Sequence, residues 1–208
     1  MRPILVCALL FVIAGLIFFV NGQGSQQEKK SVTQTSDAKP ASDQIEVKTD
    51  RFSGVTTVKL KPLVILDKPD QQLTIEIETK LGEKVRFESQ REEVKAESWF
   101  RSQATHLVDF GDRELHFLID EKPLDIGRAM GGLEVGVDKS KLKPGFNTSQ
   151  SFVSIFRRSD LERFRNAMRI DMRLGSIELT LGQPEVAILR EYANQVLAQH
   201  KIASERKQ

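Results

Sequence analysis

The chain has 208 residues and a formal net charge of +2. That is length for one folded domain plus terminal segments, and too little charge of either sign to favour nucleic acid or an acidic substrate. Its only cysteine, Cys7, lies in an apolar N-terminal run, so everything after it lacks disulfides and thiolate metal sites; larger exported domains fold without disulfides, so export stays open.

Residues 4–20 are apolar and follow one positive charge at Arg2. At about 1.5 Å per residue the run reaches roughly 26 Å as a helix, just short of a ~30 Å hydrocarbon core. A cleaved secretory signal would end at the small-residue site Val20-Asn21-Gly22; an uncleaved membrane anchor would keep the run. Cys7 lies too early to be a lipoprotein cysteine. Residues 1–22 thus read as signal peptide or membrane anchor, and either delivers the rest outside the cytoplasm. Residues 23–49 are rich in Gln, Ser, Thr, Lys and Asp. Such a segment buries too little apolar surface to offset its ordering entropy and reads as a disordered linker.

Residues 50–202 read as a β-rich globular domain and 203–208 as a polar tail. Val55 to Leu60 open it with strand-forming residues, and Pro62 ends or kinks that strand. Leu63–Leu66 reads as a short apolar strand. Leu73, Ile75 and Ile77 alternate with polar residues, as do Val85 and Phe87, then Leu115, Phe117 and Ile119, then Leu133, Val135 and Val137. Gly131-Gly132 reads as a turn, and Phe152–Phe156 as one more strand. In RIDMRLGSIELTL (169–181), Ile170, Met172 and Leu174 occupy even positions, whereas Ile177, Leu179 and Leu181 occupy odd ones. A single strand would send the two sets to opposite faces. A type II′ turn at Gly175-Ser176 puts all six on one face, with Arg173 opposite Glu178 as a cross-strand ion pair. Two helices flank this hairpin. One opens at Ser159-Asp160-Leu161-Glu162 with capping-box spacing and buries Leu161, Phe164 and Met168. The other starts near Pro184 with a stripe of Val186, Leu189, Ala193, Val196, Leu197 and His200. The fold class expected is α+β: an antiparallel β-sandwich or curled sheet with a late hairpin and two helices.

Asp109-Phe110-Gly111 spells the magnesium-binding triplet of protein kinases. No glycine-rich phosphate loop and no His-Arg-Asp accompany it. It reads instead as a corner: Phe110 inward, Asp109 on local amides or solvent, a turn at Gly111-Asp112. A second turn is expected at Asp120-Glu121-Lys122-Pro123. His106, His116 and His200 stand at no metal-ligand spacing, although His106 and His116 could meet across neighbouring strands. Asp109, Asp112, Asp120 and Asp125 lack the alternation of a calcium loop and read as turn carboxylates. Arg157, Arg158, Arg163, Arg165, Arg169 and Arg173 form a basic run that Asp160, Glu162 and Asp171 interrupt, the pattern of a solvated face. No catalytic, cofactor or metal residue is assigned.

The stretches DRFSGVTTVKLKP (50–62), FGDRELHFLIDEKPL (110–124) and MRLGSIELTLGQPEVAILREYA (172–193) resemble a group of uncharacterised exported bacterial proteins. These carry an opening Asp-x-Phe-x-Gly-x-Thr-Thr-Val, a central strand ending in Asp-x-x-x-Leu and a closing Gly-centred hairpin plus helix. The resemblance implies a β-rich domain in a bacterial envelope, periplasmic or extracytoplasmic, and supplies no catalytic residue. Three functional expectations stand. The first is a non-catalytic binding or structural domain, with an envelope protein or small ligand as partner, no nucleic acid, and the membrane contacted through residues 4–20 if these are uncleaved. The second is a small envelope hydrolase using His106 or His116 with a nearby carboxylate. The third is an apolar-ligand carrier with a cavity of at least ~300 Å³ between sheet and helices.

Overall fold

The computed structural model of the chain describes residues 41–82, 94–134, 140 and 142–205. The apolar run 4–20, the linker up to residue 40, and Val85, Phe87, Val135 and Val137 lie outside the described residues.

Two antiparallel sheets and two principal helices make an α+β, sandwich-like fold that does not close into a barrel. The larger sheet has strand order β1-β2-β3-β4-β8-β7, formed by Ile45–Thr49 (β1), Thr56–Asp67 (β2), Gln71–Leu81 (β3), Lys95–Ala104 (β4), Thr148–Arg157 (β8) and Met130–Leu133 (β7). The smaller sheet has order β10-β9-β5-β6, formed by Ile177–Thr180 (β10), Ile170–Leu174 (β9), Glu114–Ile119 (β5) and Lys122–Arg128 (β6).

Period-two burial runs through both sheets, as alternation requires. Leu73, Ile75 and Ile77 on β3, Phe152 and Phe156 on β8, and Leu115, Phe117 and Ile119 on β5 all point into one core. Five phenylalanines knit the layers. Phe110 meets Phe152 at 4.5 Å between ring centroids, and Phe164 sits 5.1 Å from Phe117 and 5.3 Å from Phe156. Edge-on and tilted aromatic packing of this kind adds about 0.5–1.5 kcal/mol per pair beyond area burial. Helix α2 (Arg158–Arg165) buries Leu161 and Phe164, and helix α3 (Gln183–Glu205) closes the core with Val186, Ile188, Leu189, Tyr192, Ala193 and Val196.

The late hairpin forms as expected. Leu174 pairs with Ile177 and Met172 with Leu179, and Leu181 N–H donates to the Ile170 carbonyl. Gly175 alone of the two turn residues has positive φ, 56°, as a type II′ turn requires.

Several elements differ from the sequence reading. Ile45–Thr49, expected within the linker, is strand β1, because its backbone completes the free edge of β2 in continuous register from Ile45↔Leu60 to Thr49↔Thr56. A short helix, Ala41–Gln44 (α1), precedes it. Pro62 does not end β2: the register shifts between Leu60 and Leu63, and this bulge absorbs the proline, so Leu63–Leu66 continues the same strand. Gly131 and Gly132 lie within β7 rather than in a turn; a Cβ at Gly131 would stand 2.0 Å from the Ser151 carbonyl oxygen, so only glycine allows this pairing. The second turn is confined to Asp120-Glu121, whose φ values of 50° and 66° match a type I′ hairpin, and β6 starts at Lys122. At α2 the N-cap is Arg157, not Ser159: the Arg157 N–H donates to the Asp160 carboxylate at 2.8 Å. The helix ends at Arg165, which leaves Met168 beyond it and 64% exposed. Helix α3 extends past residue 202 to Glu205.

Candidate functional site on the outer face of the small sheet

If Leu115, Phe117 and Ile119 point inward, Glu114, His116 and Leu118 must point out. The strand order then sets a row across the sheet. Glu178 on β10 lies opposite Arg173 on β9, Arg173 opposite His116 on β5, and His116 opposite Asp125 on β6. A second row, Thr180, Asp171, Leu118 and Pro123, runs beside it. Together they line an open recess of about 630 Å³.

His116 is held on both sides. Its Nε2 lies 3.1 Å from Glu114 Oε2 and its Nδ1 3.3 Å from Asp125 Oδ1. Asp171 is engaged by Arg169 Nε at 3.0 Å and by the Thr180 hydroxyl. Arg173 and Glu178 are in register, yet the expected ion pair does not close; among the described residues neither group has a hydrogen-bond or ion-pair partner. Leu118, 45% exposed, supplies an apolar wall beside them. The recess therefore offers one unengaged guanidinium, one unengaged carboxylate, a braced imidazole and an apolar contact.

The two histidines considered together in the sequence do not meet. His106 follows β4, on the other sheet, where its Nδ1 lies 3.2 Å from the Thr105 hydroxyl and its carbonyl accepts from Thr148. His200 is half-buried on α3. The four aspartates disperse into separate backbone roles. Asp109, Asp112 and Asp125 each accept from the N–H two residues on, and Asp120 accepts from Met168 and Arg169 N–H at 2.9 and 2.8 Å. Among the described residues no group of three His, Cys, Asp or Glu side chains is arranged to hold a metal. The basic run is also spread out: Arg158 pairs with Glu162, and Arg163 donates to the Lys122 and Pro123 carbonyls.

Between sheet and late helices the core is close-packed. The void bounded by Ile75, Phe117, Phe164, Leu189 and Tyr192 measures about 10 Å³, roughly the space of one water. Among the described residues no helix is long and apolar enough to cross a membrane.

Neither a family model, nor a curated protein, nor a solved structure matches the chain.

Proposed function

We propose that the folded part is a non-catalytic binding domain of the bacterial envelope that presents the outer face of its small sheet to a ligand carrying both signs of charge beside an apolar group. The observation that carries this reading is the pair Arg173 and Glu178, in register on the recess floor and without partners among the described residues. Both side chains are exposed, and unpaired surface charges of opposite sign orient and select a ligand of complementary charge. Leu118 adds the apolar contact that such recesses use for affinity. The apolar run at 4–20, as signal or anchor, supports placement outside the cytoplasm. The alternative of an apolar-ligand carrier has no support from a core void of about 10 Å³.

A hydrolase built on His116 has one observation in its favour, two carboxylates within reach of the imidazole. However, both ring nitrogens face those carboxylates, so neither is turned toward a nucleophile, as a general base requires. The test is crosslinking of the intact chain in its native envelope, followed by identification of what is held, with Arg173→Ala/Glu178→Ala and Leu118→Asp alongside. A partner captured by the wild type and lost from both variants supports the binding reading. Equal capture by all three refutes it.

A further inference from the structure

The turn between β1 and β2 is internally hydrogen-bonded and has an exposed aromatic at its tip. Asp50 organises it: one carboxylate oxygen accepts from Phe52 N–H at 2.9 Å and the other from Ser53 Oγ at 2.6 Å. Asp50 N–H donates to the Val55 carbonyl at 2.9 Å, and Gly54 N–H returns to the Asp50 carbonyl at 2.8 Å. Gly54 holds φ at 71°, a conformation natural to glycine. Asp50, Ser53 and Gly54 thus each have a part in shaping the turn. Phe52 has none: it is 101% exposed. A lone exposed apolar side chain is unremarkable, but this one stands on a hydrogen-bonded turn whose flanking strands carry lysines on their outward face.

The surroundings follow from register. Lys48 lies opposite Thr57, and Thr57 opposite Lys80, so the second row from the tip, just behind Thr49, Thr56 and Leu81, carries a lysine on either side of a threonine. Beside it is an open recess of about 630 Å³, lined in part by Lys48, Lys80, Thr49, Ser53 and Thr57. Arg51 adds a third cation next to Phe52. Among the described residues the turn and this row carry Lys48, Arg51 and Lys80, while the Asp50 carboxylate accepts from the loop's own Phe52 N–H and Ser53 hydroxyl. Lys48 and Lys80 pair with Glu46 and Glu78 at 2.5 and 3.6 Å. Such exposed pairs contribute little, and an anionic headgroup competes with them readily.

We propose that this tip is a membrane-interface contact: Phe52 enters the headgroup–acyl boundary of an anionic phospholipid surface, and Lys48, Arg51 and Lys80 bind the headgroups around it. The inference rests on the envelope placement above but not on the small-sheet recess. An aromatic plus basic residues is the combination that interfacial segments use, and each cation near an anionic surface adds about fivefold in partitioning. Contact this weak is effective only for a domain already held near the membrane.

The test uses the full chain in a Cys7→Ser background, with an environment-sensitive dye at Phe52→Cys or, as control, at Leu107→Cys. Leu107 is 61% exposed. It follows Thr105, whose N–H bonds Asp70 in the β2–β3 turn, at the opposite end of β2 from the tip. With phosphatidylglycerol-containing vesicles, the dye at 52 shifts to the blue and is quenched by brominated lipid, while the dye at 107 is unchanged. The shift weakens in pure phosphatidylcholine and disappears in the Lys48→Glu/Arg51→Glu/Lys80→Glu variant. If the chain sediments with vesicles but position 52 stays in water, the tip proposal alone is overturned. If both dyes shift, adsorption is non-specific and the proposal fails. If the chain ignores vesicles altogether, the tip proposal fails, while the envelope placement, which a cleaved signal satisfies equally, stands. An equal shift on adding inorganic phosphate without vesicles would make the recess a phosphate site and overturn the lipid reading.

Discussion

A Cβ on Gly175 would stand 1.6 Å from the carbonyl oxygen of Phe110. The late hairpin and the Asp109-Phe110-Gly111 corner are therefore built against each other. Gly175 N–H donates to the Glu114 carbonyl at 2.9 Å, and the Ser176 hydroxyl donates to the Asp109 carbonyl. Gly175→Ala must move backbone as well as occupy the left-handed region at φ 56°. It is expected to cost at least about 3 kcal/mol. Gly111→Ala, at φ 59° with open space around its Cβ, carries only the conformational term, about 1–2 kcal/mol. Urea denaturation of the two variants separates clash from conformation; similar midpoints would contradict the contact.

The same corner decides what the kinase-like triplet does. Phe110 is 3% exposed and rests on Phe152, so Phe110→Ala is expected to lose about 3–5 kcal/mol. Asp109 only accepts from Gly111 N–H at 2.8 Å, and Asp109→Ala should lose about 1 kcal/mol. A magnesium ligand would behave differently: the native protein would gain melting temperature with added Mg²⁺, and Asp109→Ala would abolish the gain. Thermal melts across Mg²⁺ concentration are expected to show no such dependence.

Legibility differed between elements for identifiable reasons. The β9–β10 hairpin was readable because its apolar parity changes at Gly175-Ser176, and only a two-residue turn reconciles the two halves. Strand β4 was not. Its inward face is Ala96, Ser98, Phe100, Ser102 and Ala104, mostly small or polar residues that leave hydropathy alternation nearly flat. The structure tolerates them because the hydroxyls find partners, Ser98 on the Ser154 carbonyl and Ser102 from Gln71. Strand β1 escaped notice because an edge strand is held by backbone pairing rather than by core side chains. The candidate site was legible only as separate letters. His116 and the aspartates were visible, but the row from Glu178 to Asp125 exists because β5 pairs with β9, an adjacency between distant segments that periodicity does not encode.

The chain has one tyrosine, which makes the core directly observable. Tyr192 is 1% exposed, and its hydroxyl lies 2.8 Å from Thr79 Oγ1. Burial pushes the phenol far above its ordinary value near 10. A raised folded-state value means that stability is intact below about pH 10 and declines as pH rises beyond it, because the unfolded chain loses the proton first. Tyrosinate absorbance is therefore expected to appear together with unfolding in an alkaline titration, followed by near-ultraviolet absorbance and circular dichroism. Titration near pH 10 in a still-folded protein would show the phenol to be solvated. Tyr192→Phe and Thr79→Val should each cost about 1–3 kcal/mol by orphaning the other hydroxyl, and the double variant less than their sum.

The acid limb of stability should report on Glu134. Burial pushes its carboxyl up, but the hydroxyls of Ser149 and Ser151 and the Arg101 guanidinium outweigh this and bring it below its ordinary 4.5. Ser149 Oγ lies 2.5 Å from one carboxylate oxygen, and Arg101 Nε is 3.6 Å from the other, which Ser151 also contacts. A depressed folded-state value contributes stability above the unfolded value of about 4.3, and that contribution is lost as pH falls through the folded value. Glu134→Gln removes the titrating group while keeping an acceptor for the serine hydroxyls. Its urea midpoint should lie below that of the wild type at pH 7 and approach it as pH falls from there into the acid range, through the lowered folded-state value. A constant gap between the two across that range would mean that the serines and Arg101 hold Glu134 no differently in the folded and unfolded chains.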